Sequence, residues 1–561
     1  MPIQKPFLQD PEEADRTVET ANTHEVDIFT RPDEMVDLLL ATQPYGLDHE
    51  LRLVGSCIDE ELAWICSIEN GNASATEQCR RGLRLAYHAG YLFKNSDGRA
   101  SQREDLMDAL VDVITSDTPT TTLQRLLMTC ELPLLVLGLQ VGGSQRHANW
   151  QTIVNRLSSF CEEKFDGEGM LASSDLCDFA EVLASMARMI QLTEMVTPGT
   201  PLPTCFLNQF QWAVRQLLVI CMGNGRPFGG KSSRLTDEFV TLLLKLGGDP
   251  SDIRLAHHLG FLSKSAPDFT VELAEKASRP KASFHSEWAQ VSILRSGWGR
   301  KRRELAVVVS GRQVEISLQS CGNRILQGCI ELTLEVAGDR LEPTGSWVET
   351  CWQSDSDADY LELELEVNDY WRIQRQFCVS RRSGAVLIAD VVLGTAYSDL
   401  RHTLKMGFAP GAGFKAVNDG QELFVDTGNL HGLVLPVGMS EWRSDRSGSI
   451  RGGLTAINEL ELVMSGDQLS ALYCPLFFAL SPKAADKQYT WRQLVVVKKL
   501  AQEAQDQASA VRIQVGGRQW LLYRSLTQEA NRTFMGQNYA SEFVFGEFLL
   551  DGKLKPYVEI V

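Results

Sequence analysis

Apolar residues follow two different spacings along this chain of 561 residues, and the change falls near residue 280. Before it, apolar positions recur every three or four residues, as in 180–190 and 212–220. After it, apolar and polar residues alternate in short runs, such as ADYLELELEV at 358–367. The first spacing is that of amphipathic helices, and the second is that of half-buried strands. The sequence therefore predicts an α+β protein of two domains, with the helices first.

The predicted domain organisation has three segments. Residues 1–31 are polar and weakly periodic and form an N-terminal arm, residues 32–280 form a helical domain, and residues 281–561 form a stranded domain. A chain of this length exceeds one ordinary hydrophobic core, so more than one domain is expected. The spacing predicts ten helices, at 33–41, 48–67, 73–93, 102–117, 121–140, 148–163, 174–192, 206–222, 235–246 and 251–262.

A weak internal repeat predicts how these helices pack. Glycine-containing stops follow three of them, at 97–99, 165–169 and 223–229. Glycine adopts the left-handed conformation that ends a helix, and the stops recur after roughly sixty residues, about two helices and two loops. Stacked helical hairpins of this size predict an α/α toroid, an incomplete ring of hairpins. An open helical solenoid is the alternative.

The second half predicts a large antiparallel β-sandwich. More than a dozen short alternating runs follow Trp288, and turn pairs such as Gly516-Gly517 and Asp551-Gly552 separate them. So many antiparallel strands must stack face to face to bury their apolar sides. The alternation of strand and helix that marks a nucleotide-binding α/β fold is missing from the pattern.

The net charge indicates which classes of partner to expect, and the cysteine content indicates the cellular compartment. The net charge of −18 disfavours nucleic acid and anionic membranes, because both require a basic surface. The first residues lack the apolar core of a secretion signal, and the longest apolar run, at 132–139, is too short to cross a bilayer. The 13 cysteines contain no Cys-x-x-Cys pair, so we expect free thiols in a reducing, cytoplasmic compartment.

Three stretches of the stranded half resemble the heparinase II/III-like polysaccharide lyases. They are VSILRSGW at 291–298, VEISLQSCGNRILQG at 314–328 and YWRIQRQFCVSRRSGAVLIADVV at 370–392. The order of helical toroid before sandwich is also that of this family. The resemblance implies an acidic poly- or oligosaccharide in the cleft between the two domains, cleaved by β-elimination. The chain departs from the family in one respect, because Ser310-Gly311-Arg312-Gln313 stands where sugar-cleaving members have a His-x-His-x-Asp cluster.

A short helical segment holds the candidate proton-transfer residues. β-Elimination needs a neutralised uronate carboxyl group, a base for the proton at C5 and an acid for the leaving oxygen. Tyr87, His88 and Tyr91 lie within about one helical turn and are the catalytic candidates. The alternative is that they are aromatic contacts between neighbouring helices.

Candidate substrate-binding residues combine cations, amides and indoles, which suit carboxylates, hydroxyls and sugar rings. They fall in four places: Arg146, Asn149 and Trp150 in the first turn of a helix, Gln211 and Trp212 on another, Arg226 in the third glycine-rich stop, and Arg300 and Arg302 in the basic run at 300–303. Helix capping, core packing and a solvated hairpin are the alternatives. Arg226 is the candidate for the carboxylate, since toroid ligands bind where such loops converge.

Two further functions stay open, and no cofactor is indicated. A non-catalytic scaffold of the same fold could bind sugar or a protein partner, which the missing histidine cluster favours. A toroidal glycoside hydrolase would need two acidic residues facing one cleft, for which Glu168 and Asp237 are candidates. We expect no metal, because the adjacent His257 and His258 point about 100° apart on a helix.

Overall fold

The structure is a computed structural model that describes residues 32–43, 75–93, 100–116, 119–139, 146–223, 225–229, 233–262, 276–417, 420–428, 430–442, 449–528, 530–549 and 551–561. The predicted arm at 1–31 and the predicted helix at 48–67 lie outside these residues. Within them, the long helices end at Leu259 and the first strand begins at Phe284. The predicted order of helices followed by antiparallel strands is confirmed.

Ten α-helical segments occur in the described part of the first half. They are α1 (Pro32–Ala41), α2 (Ala75–Phe93), α3 (Ala100–Ser116), α4 (Thr122–Leu126), α5 (Leu132–Leu139), α6 (Arg146–Lys164), α7 (Phe179–Val196), α8 (Thr204–Ile220), α9 (Asp237–Gly247) and α10 (Pro250–Leu259). A π-helical turn, Leu127–Glu131, joins α4 to α5, and a 3₁₀ turn, Ser173–Asp178, leads into α7. The nine predicted helices that fall on described residues are therefore found.

Local sequence fixes several helix ends. The side chain of Thr121 accepts a hydrogen bond from the backbone of Gln124, whose own side chain returns to the cap, so this pair forms a capping box. Asp249 caps α10 in the same way, with Pro250 in the first turn. The helix stops at Gly260, whose φ of +80° is a left-handed conformation that glycine adopts without strain.

The second half consists of three antiparallel sheets. Their strands are β1 (Phe284–Ser286), β2 (Val291–Arg295), β3 (Arg303–Ser310), β4 (Gln313–Ser320), β5 (Asn323–Val336), β6 (Asp339–Leu341), β7 (Val348–Ser354), β8 (Ala358–Asn368), β9 (Trp371–Ser380), β10 (Ala385–Phe408), β11 (Gly413–Ala416), β12 (Leu423–Thr427), β13 (Leu430–Leu435), β14 (Ile450–Ala456), β15 (Glu459–Ala479), β16 (Tyr489–Gln493), β17 (Val497–Lys498), β18 (Ala501–Gln502), β19 (Ala508–Val515), β20 (Arg518–Ser525), β21 (Arg532–Phe534), β22 (Gln537–Tyr539), β23 (Phe543–Phe548) and β24 (Leu554–Ile560).

The long strands β10 and β15 organise the largest sheet. This sheet has 15 strands in the order β1-β2-β3-β4-β5-β10-β15-β13-β12-β11, with β7-β8-β9 joined to β10, β6 to β5 and β14 to β15. The other two sheets run β16-β19-β20-β23-β24 and β18-β17-β21-β22. The strand β10 pairs with β9 and β5 over different parts of its length, so it connects two regions of the large sheet.

The first strands of the large sheet are buried on both faces. Ala306 and Val308 of β3 belong to the same apolar cluster as the helices, whereas Leu305 and Val307 face a second cluster among the strands. Because both faces are covered, residues 305–309 of β3 form an unbroken apolar run and do not alternate, while the buried charged residues Arg303 and Glu304 stand at the start of the strand. The helices therefore pack directly on the sheet, and their contact forms a seam along which a ligand site could lie.

A buried charged group lies within the strand core. The carboxylate of Asp390 accepts hydrogen bonds from Nε and one terminal nitrogen of Arg375, at 2.7 and 2.8 Å, and its Oδ2 lies 2.9 Å from Nε2 of His402. All three side chains are fully buried. Burial alone would raise the pKa of Asp390, but the Arg375 guanidinium and then His402 outweigh burial and hold this pKa well below its usual range.

Candidate functional site

A polar cavity of about 520 Å³ lies on the seam between the helices and the large sheet. We call it the seam pocket. The helical half contributes Arg226 from the loop after α8, and the sheet contributes three turns. The lining residues are Arg226, Gly322, Asn323, Arg324, Gln327, Pro410, Gly411, Thr427 and Gly428. The pocket is thus built from segments that are far apart in sequence.

The loop that carries Arg226 is held by its own backbone. The amide of Met222 donates to the carbonyl of Arg226 at 2.9 Å, and the amide of Phe228 donates to Ile220 at 3.1 Å. Gly225 has a φ of +74°, and a Cβ there would lie 2.8 Å from the ring of Phe261. A glycine is therefore required at this point for the loop to close against its neighbour.

A buried carboxylate ties this loop to the sheet. Glu304 accepts hydrogen bonds from Nε of Arg295 and Nε of Arg302, both at 2.7 Å, from the side-chain amide of Gln319, and from the backbone amide of Gly223 at 3.1 Å. Glu304 and Arg295 are buried almost completely. The four donors come from strands, from a hairpin and from the loop after α8, so the cluster fixes these segments relative to one another.

Arg295 also caps the helix that precedes the loop. One terminal nitrogen of its guanidinium donates to the carbonyls of Val219 and Cys221, at 3.0 and 3.3 Å. These carbonyls lie at the C-terminus of α8, where the helix dipole favours a cation. These contacts help to hold the loop that carries Arg226 against the sheet.

Two guanidinium groups give the seam pocket a positive charge. Burial, and then the charge of Arg226, lowers the pKa of Arg324, so the two cations act on one another across the seam. Nη1 of Arg324 donates to Oε1 of Gln327 at 3.1 Å, which orients the group. The hydroxyl of Thr427, a residue 5% exposed, has no hydrogen-bond partner among the described residues. The pocket thus combines cations and an unused hydroxyl, and no carboxylate lines it.

Two of the three predicted catalytic residues, Tyr87 and His88, lie in the helical core and not in the seam pocket. Tyr87 is fully buried, and its hydroxyl donates to Oε1 of Glu131 at 2.9 Å. Burial, and then the charge of Glu131, raises the pKa of Tyr87 well above its usual range. His88 is also buried, with Nδ1 2.8 Å from the carbonyl of Arg84, and burial lowers the pKa of His88. The side chain of Tyr91 lies outside the described part of the chain.

Glu131 is the centre of a buried polar cluster that includes Tyr87. Arg188 donates to both carboxylate oxygens, from Nε at 2.5 Å and from a terminal nitrogen at 3.0 Å. Ser185 donates to Oε2 at 2.5 Å. Glu131 ends the π-helical turn between α4 and α5, while its partners lie on α2 and α7. The cluster therefore joins three helical elements.

The predicted residues near the start of α6 also have structural partners. A terminal nitrogen of Arg146 donates to the carbonyl of Val196 at 2.6 Å, at the C-terminus of α7. Trp150 is buried in the helical core, whereas Asn149 is partly exposed. These three residues line none of the cavities described here.

Gln211 and Trp212 line a different cavity, of about 550 Å³, beside the first half of α8. Trp212 is 43% exposed, and the guanidinium of Arg215 lies 5.2 Å from its ring centre. Arg226 lies beyond the opposite end of the same helix. The structure therefore does not bring Gln211 and Trp212 into the seam pocket.

The basic run at 300–303 is divided between solvent and the protein interior. Arg300 is exposed, whereas Arg302 is bound to Glu304 and contributes to the buried cluster beside the pocket. For the hydrolase alternative, Glu168 and Asp237 are both exposed, and neither lines the seam pocket. Asp237 pairs with Arg234 at 2.8 Å.

Sequence reasoning missed most of the sheet side of the pocket. Asn323, Arg324 and Gln327 lie at the turn from β4 to β5, within the stretch SCGNRILQG. The stretch is part of one of the three that resemble the lyases, and Gly322 and Asn323 within it are the signal of a turn that carries polar residues. Thr427 carries no comparable signal, because a threonine at a strand end is common.

The chain shares its fold with solved polysaccharide lyases. No family model matches the sequence, and no curated protein matches it. A heparinase III gene product is 11% identical, covers 88% of this chain and 80% of its own, and superposes with a TM-score of 0.58. A second structure of heparinase III is 11% identical, with 84% and 79% covered and a TM-score of 0.56. A heparan sulfate lyase from Pedobacter heparinus is 12% identical, with 89% of each chain covered and a TM-score of 0.52.

These likenesses confirm the predicted resemblance at the level of the fold. They agree with the helix-first order of the chain and with its large antiparallel sheets. Among the helices of the described residues, none combines the length and the apolar character that a membrane crossing requires. The cysteines that the structure describes are all free thiols.

Proposed function

We propose that this protein binds an acidic poly- or oligosaccharide in the seam pocket. The observation that carries the proposal is the pair of guanidinium groups, Arg226 from the helical half and Arg324 from the sheet, in a cavity without a carboxylate. Guanidinium forks bind carboxylate and sulfate groups through paired charge-assisted hydrogen bonds. Lyases of this fold, including a heparan sulfate lyase, support the choice of an anionic saccharide.

The proposed architecture places this pocket at the mouth of an α/α toroid that opens onto a β-sandwich. The proposed domains are the predicted ones, a helical domain at 32–280 and a stranded domain at 281–561. The packing of the helices on β3 and the ties from Glu304 to the loop after α8 support a shared cleft. The net charge of −18 continues to predict that neither nucleic acid nor an anionic membrane is a partner.

Binding, without turnover, is the function that the pocket supports best. Its lining residues supply cations, amides and a hydroxyl, which bind oxyanions and sugar hydroxyls. A role for Tyr87, His88 and Tyr91 in β-elimination stays a prediction, and the buried hydrogen bond of Tyr87 to Glu131 already accounts for one of these residues.

Titration calorimetry with anionic saccharides tests the proposal. The panel is heparan sulfate, chondroitin sulfate and alginate oligosaccharides. We expect Arg226→Gln and Arg324→Gln each to weaken binding of the preferred member about 10- to 100-fold, because a hydrogen bond to a charged group contributes about 1.5–3 kcal/mol. Arg340→Gln is the matched control, since Arg340 is an exposed arginine on β6 outside the pocket.

Equal affinity in Arg324→Gln and Arg340→Gln would remove the seam pocket as the binding site. Turnover is followed in the same samples by the absorbance of new unsaturated sugar ends. Release of such ends, abolished by Tyr87→Phe, would replace the binding function with the lyase function. New reducing ends without unsaturation would favour a hydrolase.

A further inference from the structure

A second polar cavity, of about 1120 Å³, lies at the tip of the β8–β9 hairpin. We call it the hairpin cavity. It is lined by the hairpin tip, by the part of β10 around Gly394, by Ser470, by the segment 525–528 at the end of β20 and by Glu542. The other end of β9 leads to Arg381, which contacts the β2–β3 region beside the seam. Because β9 has ten residues, the two ends lie about 33 Å apart.

The hairpin tip displays an exposed aromatic ring on a backbone that hydrogen bonds hold in place. The side chain of Asn368 accepts hydrogen bonds from the backbone amides of Tyr370 and Trp371, at 2.9 and 3.0 Å. The carbonyl of Tyr370 accepts from the amide of Thr395 at 3.1 Å. The backbone is thus held on both sides, while the Tyr370 side chain is 64% exposed. An exposed tyrosine ring on a fixed backbone offers an apolar face for stacking, and it has only two side-chain torsions to order.

A second aromatic residue, Trp371, lines the same cavity. Trp371 is 6% exposed, and its ring lies directly on Gly394. A Cβ at Gly394 would fall 2.2 Å from that ring, so only glycine allows the indole to sit there. Tyr370 and Trp371 therefore give the cavity one exposed and one buried aromatic side chain, and Thr395 and Ser470 add hydroxyl groups to its lining.

The charge of the hairpin cavity is opposite to that of the seam pocket. Four carboxylates and one guanidinium line it, from Glu364, Glu366, Asp369, Glu542 and Arg372. Arg372 lies 3.6 Å from Glu364, and the buried Arg524 donates to Glu542 at 2.8 Å. Glu366 and Asp369 form no ion pair with any described residue. An acidic saccharide would be repelled here, whereas carboxylates accept hydrogen bonds readily from sugar hydroxyls.

We propose that the hairpin cavity is a second saccharide site, specific for uncharged pyranose rings. Tyr370 stacks on a sugar face, and the carboxylates and hydroxyls around it accept and donate hydrogen bonds to the ring hydroxyls. The site is independent of the seam pocket in position and in charge. The protein then holds a neutral glycan at one end of the sheet and an acidic one at the other.

Calorimetry with cellohexaose, mannohexaose and xylohexaose tests the site in the full-length protein. We expect at least one of these neutral probes to bind, and Tyr370→Ala to weaken that binding at least about fivefold through loss of the stacking contact. Trp288→Ala is the matched control, because Trp288 is a similarly exposed aromatic residue, 51% exposed, on the β1–β2 turn. Arg324→Gln should leave the neutral probe unaffected, which separates this proposal from the function of the seam pocket.

Charge gives a second readout. In the double variant Glu366→Gln and Asp369→Asn, an alginate hexasaccharide should gain affinity for the hairpin cavity, and Tyr370→Ala in that background should remove the gain. The proposal is overturned if no neutral probe binds at millimolar concentration, if Tyr370→Ala and Trp288→Ala bind the probe equally, or if only amine-bearing saccharides bind.

Discussion

Replacing Glu131 by glutamine should destabilise the helical half strongly. This carboxylate is fully buried and receives hydrogen bonds from Tyr87, Ser185 and two nitrogens of Arg188. The amide is nearly isosteric, so the substitution changes charge more than shape. It leaves the guanidinium of Arg188, of which 6% of the side chain is exposed, without its counter-charge.

The expected loss follows from that uncompensated charge. Breaking a buried ion pair by removing one partner costs about 3–5 kcal/mol, because the remaining ion has lost its water and gained nothing in return. Tyr87→Phe removes only one of the four hydrogen bonds and leaves the ion pair intact. A hydrogen bond to a charged group contributes about 1.5–3 kcal/mol, so this variant should lose less stability than Glu131→Gln.

Urea unfolding followed by the helical circular dichroism band measures both losses. The double variant Glu131→Gln with Arg188→Met removes the charge from both partners, so it should be more stable than Glu131→Gln alone. Ser158→Ala is a control, because the hydroxyl of Ser158 only donates to the preceding turn of its own helix, at 3.1 Å. We expect its effect to stay within about 0.5 kcal/mol.

Two results would refute this reasoning. If Glu131→Gln unfolds with the free energy of the wild type, the ion pair does not govern the stability of these helices. If the double variant is less stable than Glu131→Gln, the loss comes from packing or from the π-helical turn and not from an unpaired charge.

Three further predictions concern the strand core and the seam. Asp390→Asn should lower the free energy of unfolding by about 3–5 kcal/mol at pH 7. Because the pKa of Asp390 is lower in the folded protein than in the unfolded chain, the stability difference between wild type and variant should shrink as pH falls below about 4. Urea unfolding midpoints of both proteins between pH 3 and pH 7 measure this change. Gly225→Ala forces a side chain onto a φ of +74° and against Phe261, so calorimetry should show severalfold weaker binding of the acidic saccharide. Arg302→Ala should lower the free energy of unfolding by about 1.5–3 kcal/mol through its bond to Glu304, whereas Arg300→Ala should change it by less than about 0.5 kcal/mol.

The helices and strands could be predicted from the sequence because residues buried on one face of a helix or strand recur at a regular spacing. Segments such as α8, predicted at 206–222 and found at Thr204–Ile220, have one face in the core and caps or glycines at their ends. The strand β3 was readable for a different reason, since its residues 305–309 are covered on both faces and therefore form an unbroken apolar run. The fold-level resemblance rested on the same local features together with the order of the two halves.

The candidate site was less readable because it depends on contacts between distant segments. Arg226 was selected from its loop, but nothing in the sequence pairs it with Arg324, nearly a hundred residues later. The spacing of Tyr87, His88 and Tyr91 fits an acid and a base, but it fits buried contacts between neighbouring helices better. The partner that gives Tyr87 its environment, Glu131, lies on another helix, and no local pattern connects them.

The buried cluster around Glu304 explains how the contact between the helices and the large sheet can keep the seam pocket in one shape. Apolar contacts between helices and a sheet are tolerant of small shifts, because many packings bury similar areas. A carboxylate with four donors tolerates few arrangements, since each displaced donor would be left buried and unpaired. Those donors belong to the segments that border the seam pocket. The cluster therefore fixes the loop after α8, which carries Arg226, relative to the strands beside Arg324, so under the proposed function neither segment has to be ordered when the saccharide binds.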